Sequence, residues 1–400
     1  MREGWKFEKL GNVCKTGAGG TPLKSHKEYY ENGIIPWIRS GEVNNRNIID
    51  SEIKITEVGL NNSSAKLFPP RTVVIAMYGA TAGEVGILNF ECASNQAVCG
   101  ILPNENFIPE FLYYFFLKFK TELIAQAVGN AQPNISQAKI KDTKIPFISI
   151  AEQQQIVTLL DQAFKAIDQA KANIEKNIEN AKELFQSKLN DIFSQKGDGW
   201  EEKTLKEMSK IMYGYTSKVV ENGNIQYLRI TDIQDGNVNW NTVPFVNISD
   251  EEKLKYNLKK GDIVFARTGA TTGKSYLMQS PPNSVFASYL IRVQCVANVL
   301  IPSFLYLFFQ SGIYWQIVES GTSGSAQGGF NATKLGDMVI HFPADKKQQL
   351  KYVNLMESIR IPINELIENY ETRLENLEEL KKSILQKAFV GELTNKSVEV

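Results

Sequence analysis

Trp37-Ile38-Arg39 with Glu42-Val43, followed by Gly79-Ala80-Thr81-x-Gly83, returns 190 residues later as Tyr227-Leu228-Arg229 with Asp232-Ile233 and Gly269-Ala270-Thr271-x-Gly273. Both matches keep one register, so an internal repeat decides the architecture before any element is assigned. Outward from this stretch, Gly4-Trp5 with Leu10 returns as Gly199-Trp200 with Leu205, and Glu31-Asn32-Gly33 as Glu221-Asn222-Gly223. Ile108-Pro109 with Phe111-Leu112-Tyr113 returns as Ile301-Pro302 with Phe304-Leu305-Tyr306, and Ala131-Gln132 as Ala326-Gln327. The offset drifts from 190 to 195 while the order is kept, so the chain is two divergent copies of one unit.

Each copy ends in a long helical pattern. Ser149-x-x-Glu152 and Asp345-x-x-Gln348 are start signals of the capping-box kind. Ile156, Leu160, Ala163, Ile167, Ala170 and Ile174 then alternate spacings of four and three, the seam of a coiled coil. Ile178, Ala181, Phe185 and Leu189 follow with a stutter. The second seam runs Met356, Ile359, Ile363, Leu366, Tyr370, Leu374 and Leu377, and Pro362 is expected to kink or restart that helix. Two narrow apolar seams of equal length are expected to pack on each other as an antiparallel pair, each forty-residue stretch about 60 Å long.

The fold class is therefore α+β, with two repeated short-strand domains separated by two long helices. The expected boundaries are 1–148 for the first domain, 149–196 for its helix, 197–344 for the second domain, 345–393 for its helix, and 394–400 for a tail. Ile34 to Arg39, Thr72 to Met77, Ile225 to Ile230 and Ile263 to Ala266 read as strands. Phe111 to Phe119 and Phe304 to Phe309 read as buried helices opened by Pro109 and Pro302.

Composition narrows the function classes. Among 400 residues, 43% are hydrophobic, and 44 basic side chains balance 44 acidic ones. The balance is even along the chain: residues 1–150 hold 16 basic and 14 acidic, and 197–345 hold 13 and 14. No basic arm is present, so any DNA reader built this way is expected to bind weakly alone, because phosphate neutralisation supplies most non-specific affinity. Four scattered cysteines make neither a disulfide framework nor a paired zinc motif, and are read as reduced and structural. The residues after Met1 show no export signal, and the longest apolar run, Phe111 to Leu117, is far short of the roughly 20 residues of a membrane span. A cytoplasmic protein without a membrane is expected.

Catalytic motifs fail on inspection. Gly269-Ala-Thr-Thr-Gly273-Lys274-Ser275 has one residue too few between its glycines for a phosphate-binding loop, and Glu84 stands where Lys274 does in the other copy. The glycines at 17, 19 and 20 do not form a dinucleotide fingerprint. Neither double proline, Pro69-Pro70 or Pro281-Pro282, sits in an adenine-methyltransferase motif. His26 and His341 fall at non-equivalent places, and neither looks like a general base.

Two divergent modules on a helix pair suit a linear polymer such as DNA, whose grooves repeat every ~34 Å. The chain closely resembles the specificity subunits of Type I restriction-modification systems. The resemblance rests on the Trp5 and Trp200 starts, the Ile38-Arg39 and Leu228-Arg229 strand ends, and Gly261-Asp262-Ile263-Val264-x-x-Arg267-x-Gly269. Gln153-Gln154-Gln155, Gln348-Gln349 and Ala388-Phe389-x-Gly391-x-Leu393 complete it. It implies two target recognition domains reading a split, asymmetric site in double-stranded DNA, with helices that set the spacer and dock two modification subunits. S-adenosylmethionine, and ATP with Mg on restriction/translocase subunits, would belong to those partners; this chain would bind no cofactor or metal and catalyse nothing. The competing reading is a coiled-coil interaction scaffold with no nucleic-acid role.

Arg39 and Arg229 are expected DNA contacts, with salt bridges to Glu42 and Asp232 as the competing reading. Ser40, Tyr78 and Thr81 join the first, and Thr231 and Thr271 the second. Arg267 and Lys274 flank the Gly-Thr loop and suit phosphate, and Met77 in the first copy lacks that arginine. Gln132, Asn134, Gln327 and Asn331 lie on paired polar loops that could read adenine edges. Ile156, Leu160, Ile167, Ile174, Ile363, Leu366, Leu374 and Leu377 are the expected spacer and docking positions.

Overall fold

Each module opens and closes on one antiparallel strand pair. Lys6–Lys9 runs against Lys144–Phe147, with Lys6 opposite Phe147. Trp200–Thr204 runs against Val339–Pro343 in the same way, with Trp200 opposite Pro343. The chain thus enters and leaves each module at one place, directly before a long helix. The computed structural model describes residues 5–126, 134–195, 197–234, 236–322 and 329–394. Gln132 and Gln327 lie outside these residues.

Between the closing strands each copy builds two main sheets, and the second adds a short hairpin of Ile233–Gln234 against Asn237–Val238. The first copy has a five-stranded sheet, in the order Thr16–Ala18, Val98–Ile101, Val73–Ala76, Val85–Leu88 and Asn47–Ile48. Beside it lies a four-stranded one of Ile53–Ile55, Ile35–Ile38, Cys92–Ser94 and Leu67–Phe68. The second copy has Ser209–Tyr213, Leu290–Cys295, Ile263–Ala266 and Ser275–Leu277 in one sheet, and Phe245–Val246, Ile225–Leu228 and Ser284–Phe286 in another.

The unbroken apolar strands have a simple cause. Val73 and Ile75 enter one core with the helix Pro109–Ala125, while Val74 and Ala76 enter a second core that also holds Ile38 and Phe68. Ile263 and Phe265 likewise separate from Val264 and Ala266. Side chains alternate faces along a strand, so a strand with a core on each side must be apolar at every position. Pro109 and Pro302 open their helices as the sequence predicts, and Phe111, Phe115, Phe116, Phe304 and Phe308 are buried. Burial pushes the Cys14 thiol up to about 11 and those of Cys92, Cys99 and Cys295 up to about 12, so all four stay protonated at neutral pH.

The long helices are Ile150–Phe193 and Lys346–Phe389, 44 residues each. Two compact units result, residues 1–174 with 372–400, and residues 175–371. The first unit holds the first module, the start of the helix that follows it and the far end of the second helix; the second unit holds the second module with the end of the first helix and the start of the second. In the first, Ile156, Leu160 and Phe164 share a core with Leu385, Ala388 and Phe389. Asp168 pairs with Lys381 at 3.1 Å and Lys171 pairs with Glu378, a descending order that makes the helices antiparallel. In the second, Leu189, Ile192 and Phe193 share a core with Val353 and Met356.

Two expectations about the second helix are corrected. It runs through Pro362 without restarting, and Pro362 lies on the exposed side, where its missing N–H leaves one carbonyl open to water. Leu366 is 42% exposed, and Ile367, four residues after Ile363, takes the inward position instead. Spacings of three and four both keep a residue near one face, so adjacent apolar residues made the seam ambiguous.

Each module is fastened to its helix by a fully buried glutamine. Gln153 Oε1 accepts the Ile108 N–H at 2.9 Å, and its amide donates to the carbonyls of Asn106 at 2.8 Å and Ile148 at 3.0 Å. Gln349 repeats all three bonds, accepting from Ile301 at 2.8 Å and donating to Val299 at 2.9 Å and Pro343 at 2.8 Å. Gln153→Leu or Gln349→Leu leaves one N–H and two carbonyls without partners in a dry site. A destabilisation of about 2–4 kcal/mol is expected by chemical denaturation of the full chain; a change below ~0.5 kcal/mol would mean that the glutamine fastens nothing.

Candidate nucleic-acid interface

In both copies one short turn carries the chain from the smaller sheet to the larger. Asn95-Gln96-Ala97 follows Cys92–Ser94 and precedes Val98–Ile101; Ala287-Ser288-Tyr289 follows Ser284–Phe286 and precedes Leu290–Cys295. The Asn95 N–H donates to the Ile38 carbonyl at 3.0 Å, and Ala287 to Leu228 at 2.9 Å. This places the turn beside Arg39 in one copy and Arg229 in the other. On its far side Met77 donates to the Ala97 carbonyl at 2.7 Å, and Arg267 to Tyr289 at 3.2 Å. The polar loop then returns, with Ile135 donating to Met77 at 2.8 Å and Phe330 to Arg267 at 2.9 Å. One edge of each module therefore gathers the strand-end arginine, the residue two positions before the Gly-Ala-Thr turn and the end of the polar loop. Asn134 sits there by a backbone bridge to Tyr78.

The Gly-Ala-Thr turns are single 3-10 turns. Gly269 has φ +75°, and a Cβ added there would meet nothing within 4 Å, so backbone conformation alone calls for glycine. At Gly273 (φ +93°) a Cβ would also stand 2.7 Å from the Trp315 ring. The amides are committed internally: Thr272 donates to Gly269, Gly273 to Ala266, and Lys274 to Thr271. A phosphate cradle needs such amides free and aimed at one point, which these are not.

The arginines differ in what holds them. Arg39 pairs with Glu42 at 3.6 Å and with Glu52, and Arg229 holds both oxygens of Asp232 at 2.7 and 3.1 Å. Both arginine side chains are over two-fifths exposed, so a phosphate could reach them, whereas Glu42 and Asp232 are largely buried and also accept the backbone N–H of the same arginines. Asp232 raises the Arg229 pKa still further, so this cation is permanent. Arg267 faces no carboxylate among the described residues. Its Nε donates to the Ser288 carbonyl at 3.1 Å, and its guanidinium lies 5.1 Å from the Tyr213 ring centroid and 5.8 Å from that of Tyr289. Lys274 is exposed, whereas Glu84 at the matching place binds Lys120 at 2.5 Å. Asn331 uses its side-chain oxygen to cap the helix Ala332–Gly336, accepting from Lys334 at 2.9 Å.

Sequence reasoning missed Tyr213 and Tyr289, which flank Arg267. Register makes Ala97 the counterpart of Tyr289, so the repeat carried no signal there. It also missed a bond kept with different chemistry: Trp37 Nε1 donates to the Gly20 carbonyl at 2.9 Å, and Tyr227 donates its hydroxyl to the Tyr215 carbonyl at 2.7 Å.

Residues 2–180 and 197–376 each match the Type I restriction modification DNA specificity domain. The chain belongs to this family. Over 422 residues it is 26% identical to the Type I restriction enzyme EcoKI specificity subunit of Escherichia coli (strain K12), covering 98% of this chain and 90% of that one. It is 24% identical over 418 residues to the MjaIX specificity subunit of Methanocaldococcus jannaschii, covering 97% and 93%. Its fold matches a chain from a structural study of type I R-M system complex assembly, with TM-score 0.81, 18% identity and coverage of 98% and 99%. The HsdS subunit from Thermoanaerobacter tengcongensis aligns at TM-score 0.61 and 17% identity over 98% of both chains. Within this specificity-family chain, no described group of three or more His, Cys, Asp or Glu could hold a metal ion, and no described helix is long and apolar enough to cross a membrane.

The bond shared by Trp37 and Tyr227 holds the chain just after the strand Thr16–Ala18 in one copy and Ser209–Tyr213 in the other. Tyr227→Phe keeps the ring and leaves the Tyr215 carbonyl without its donor. A loss of about 1–2 kcal/mol is expected in thermal unfolding; no loss would show that the hydroxyl carries no structural weight.

Proposed function

We propose that this chain is the DNA-recognition subunit of a Type I restriction-modification complex, each module reading one part of a split, asymmetric target. The observation that carries the reading is the double match to the DNA specificity domain, joined to an equivalent edge of strand-end arginine, Gly-Ala-Thr turn and polar loop in each copy. Divergence along that edge supports different half-sites: Arg267 between two tyrosines and the exposed Lys274 in the second module, Met77 and the paired Glu84 in the first. The first module would contact DNA through Arg39, Ser40, Tyr78, Thr81, Gln132 and Asn134. The second would use Arg229, Thr231, Arg267, Thr271, Lys274, Gln327 and Asn331.

The two helices would set the distance between half-sites and dock two modification subunits, which would bring S-adenosylmethionine and methyl transfer. Restriction subunits would add ATP-driven translocation and cleavage. The even charge supports dependence on those partners, since a neutral chain neutralises few phosphates by itself.

Because each module enters and leaves at one strand pair, residues 197–344 can be exchanged for the corresponding domain of a relative. Mapping methylated sites should then show one half of the target changed and the other kept; change in both halves would overturn independent reading. Arg267→Gln is expected to weaken DNA binding by the assembled complex evenly across sequences and to lower the salt slope by about one. Mobility-shift titrations over a salt series measure this, and an unaltered slope would place Arg267 away from phosphate.

A further inference from the structure

The first module carries a tie to its long helix that the second lacks. Arg46 stands on the loop before the short strand Asn47–Ile48, and the Ile87 N–H donates to its carbonyl at 2.8 Å, so its backbone is fixed in the larger sheet. Its guanidinium reaches Asp161 on the helix Ile150–Phe193 through two bonds, Nη1 to Oδ1 at 2.5 Å and Nη2 to Oδ2 at 3.2 Å. The buried Tyr114, from the helix Pro109–Ala125, closes the triangle: its hydroxyl donates to Asp161 and accepts from Arg46 Nη1 at 3.1 Å. The Arg46 guanidinium also lies 5.1 Å from the Tyr114 ring centroid and 5.7 Å from that of Tyr113. Three elements meet in one planar, charge-assisted network, the geometry in which an arginine bond gives direction as well as energy.

The repeat supplies the comparison. At the register that aligns Asn47–Ile48 with Asn237–Val238, Arg46 falls on Gly236, which has no side chain to reach anything. Tyr114 falls on Leu307, which has no hydroxyl, and Asp161 on Glu357. Glu357 pairs with Arg360 at 2.5 Å, three residues along the same helix. The second module therefore has the carboxylate and a nearby cation, but both belong to the helix, and nothing in that pair ties the module's loop to it.

We infer that Arg46 is a positioning residue that seats the first recognition module on its helix through Asp161 and Tyr114, and so fixes that module's contribution to the distance between half-sites. This rests on the proposed reading of the modules as DNA readers with the helices as the spacer. An untied module keeps its own contacts to bases but reaches them from a broader range of positions.

The test is selection from a random-sequence duplex library by the full chain assembled with its modification partners, reading base preferences and spacer length separately. The unaltered chain is expected to return one dominant spacer. Arg46→Ala should keep the bases of both halves while spacers one base pair longer or shorter become several-fold more frequent. Tyr114→Phe and Asp161→Asn, which keep shape and bulk, should broaden the spacer in the same direction. The exchanged pair Arg46→Asp with Asp161→Arg should narrow it again, a rescue that a purely stabilising role would not produce. Arg360→Ala, which breaks the ion pair lying within one helix, should leave the spacer as it was. A wild-type spacer distribution in Arg46→Ala and Asp161→Asn overturns the inference, even if thermal stability falls. If the unaltered chain selects no split sequence at all, the reading of function itself fails, and the two failures are distinct.

Discussion

A buried glutamine that leaves no backbone group behind it unpaired is the constraint on which each module's position depends. Gln153 and Gln349 each join three segments: the loop before the proline-led helix, the end of the closing strand, and the first turn of the long helix. An amide side chain suits this because it presents an acceptor and two donors in one rigid plane. The site is dry, so partial satisfaction would be worse than an apolar residue, and the geometry must be met in full. Once it is met, the angle at which the module leaves its helix is set by hydrogen-bond directions as well as by apolar packing, which tolerates sliding.

Around that fixed junction the two copies have been free to diverge. The carbonyl of Gly20 receives an indole N–H in one, and that of Tyr215 a phenol hydroxyl in the other. Two residues before the Gly-Ala-Thr turn stands a buried methionine in one and an arginine between two tyrosines in the other. What is kept is backbone register; what varies is the side chains along one edge. A scaffold that holds main-chain geometry while releasing side chains is what two readers of different sequences require.

Much of this was legible in the chain. The repeat, the paired long helices, the strands with apolar residues at every position and the proline-led helices each follow from local patterns that physics ties to one outcome. The failures share a cause. Leu366 and Ile367 are adjacent, and spacing cannot choose between them when either satisfies a three-or-four rule. The link of Arg46 to Asp161 spans 115 residues, and no local pattern announces an ion pair at that separation. Tyr213 ends one strand and Tyr289 sits in the turn just before its partner strand Leu290–Cys295, so the pair becomes informative only when the register is known. The site was legible where the repeat preserved it and silent where the copies differ, which is where specificity resides.

The division of the helices between units has a consequence for synthesis. The core of the first unit includes Leu385, Ala388 and Phe389, with the Phe389 ring 5.3 Å from that of Phe111 and 5.5 Å from that of Phe115. Those residues are made after the whole of the unit formed by 175–371, which is one continuous stretch. The module made first is therefore completed after the second, and until Phe389 is made it carries an uncovered aromatic face. A message cut short between residues 372 and 389 strands the first module and spares the second, so the order of assembly runs opposite to the order of translation.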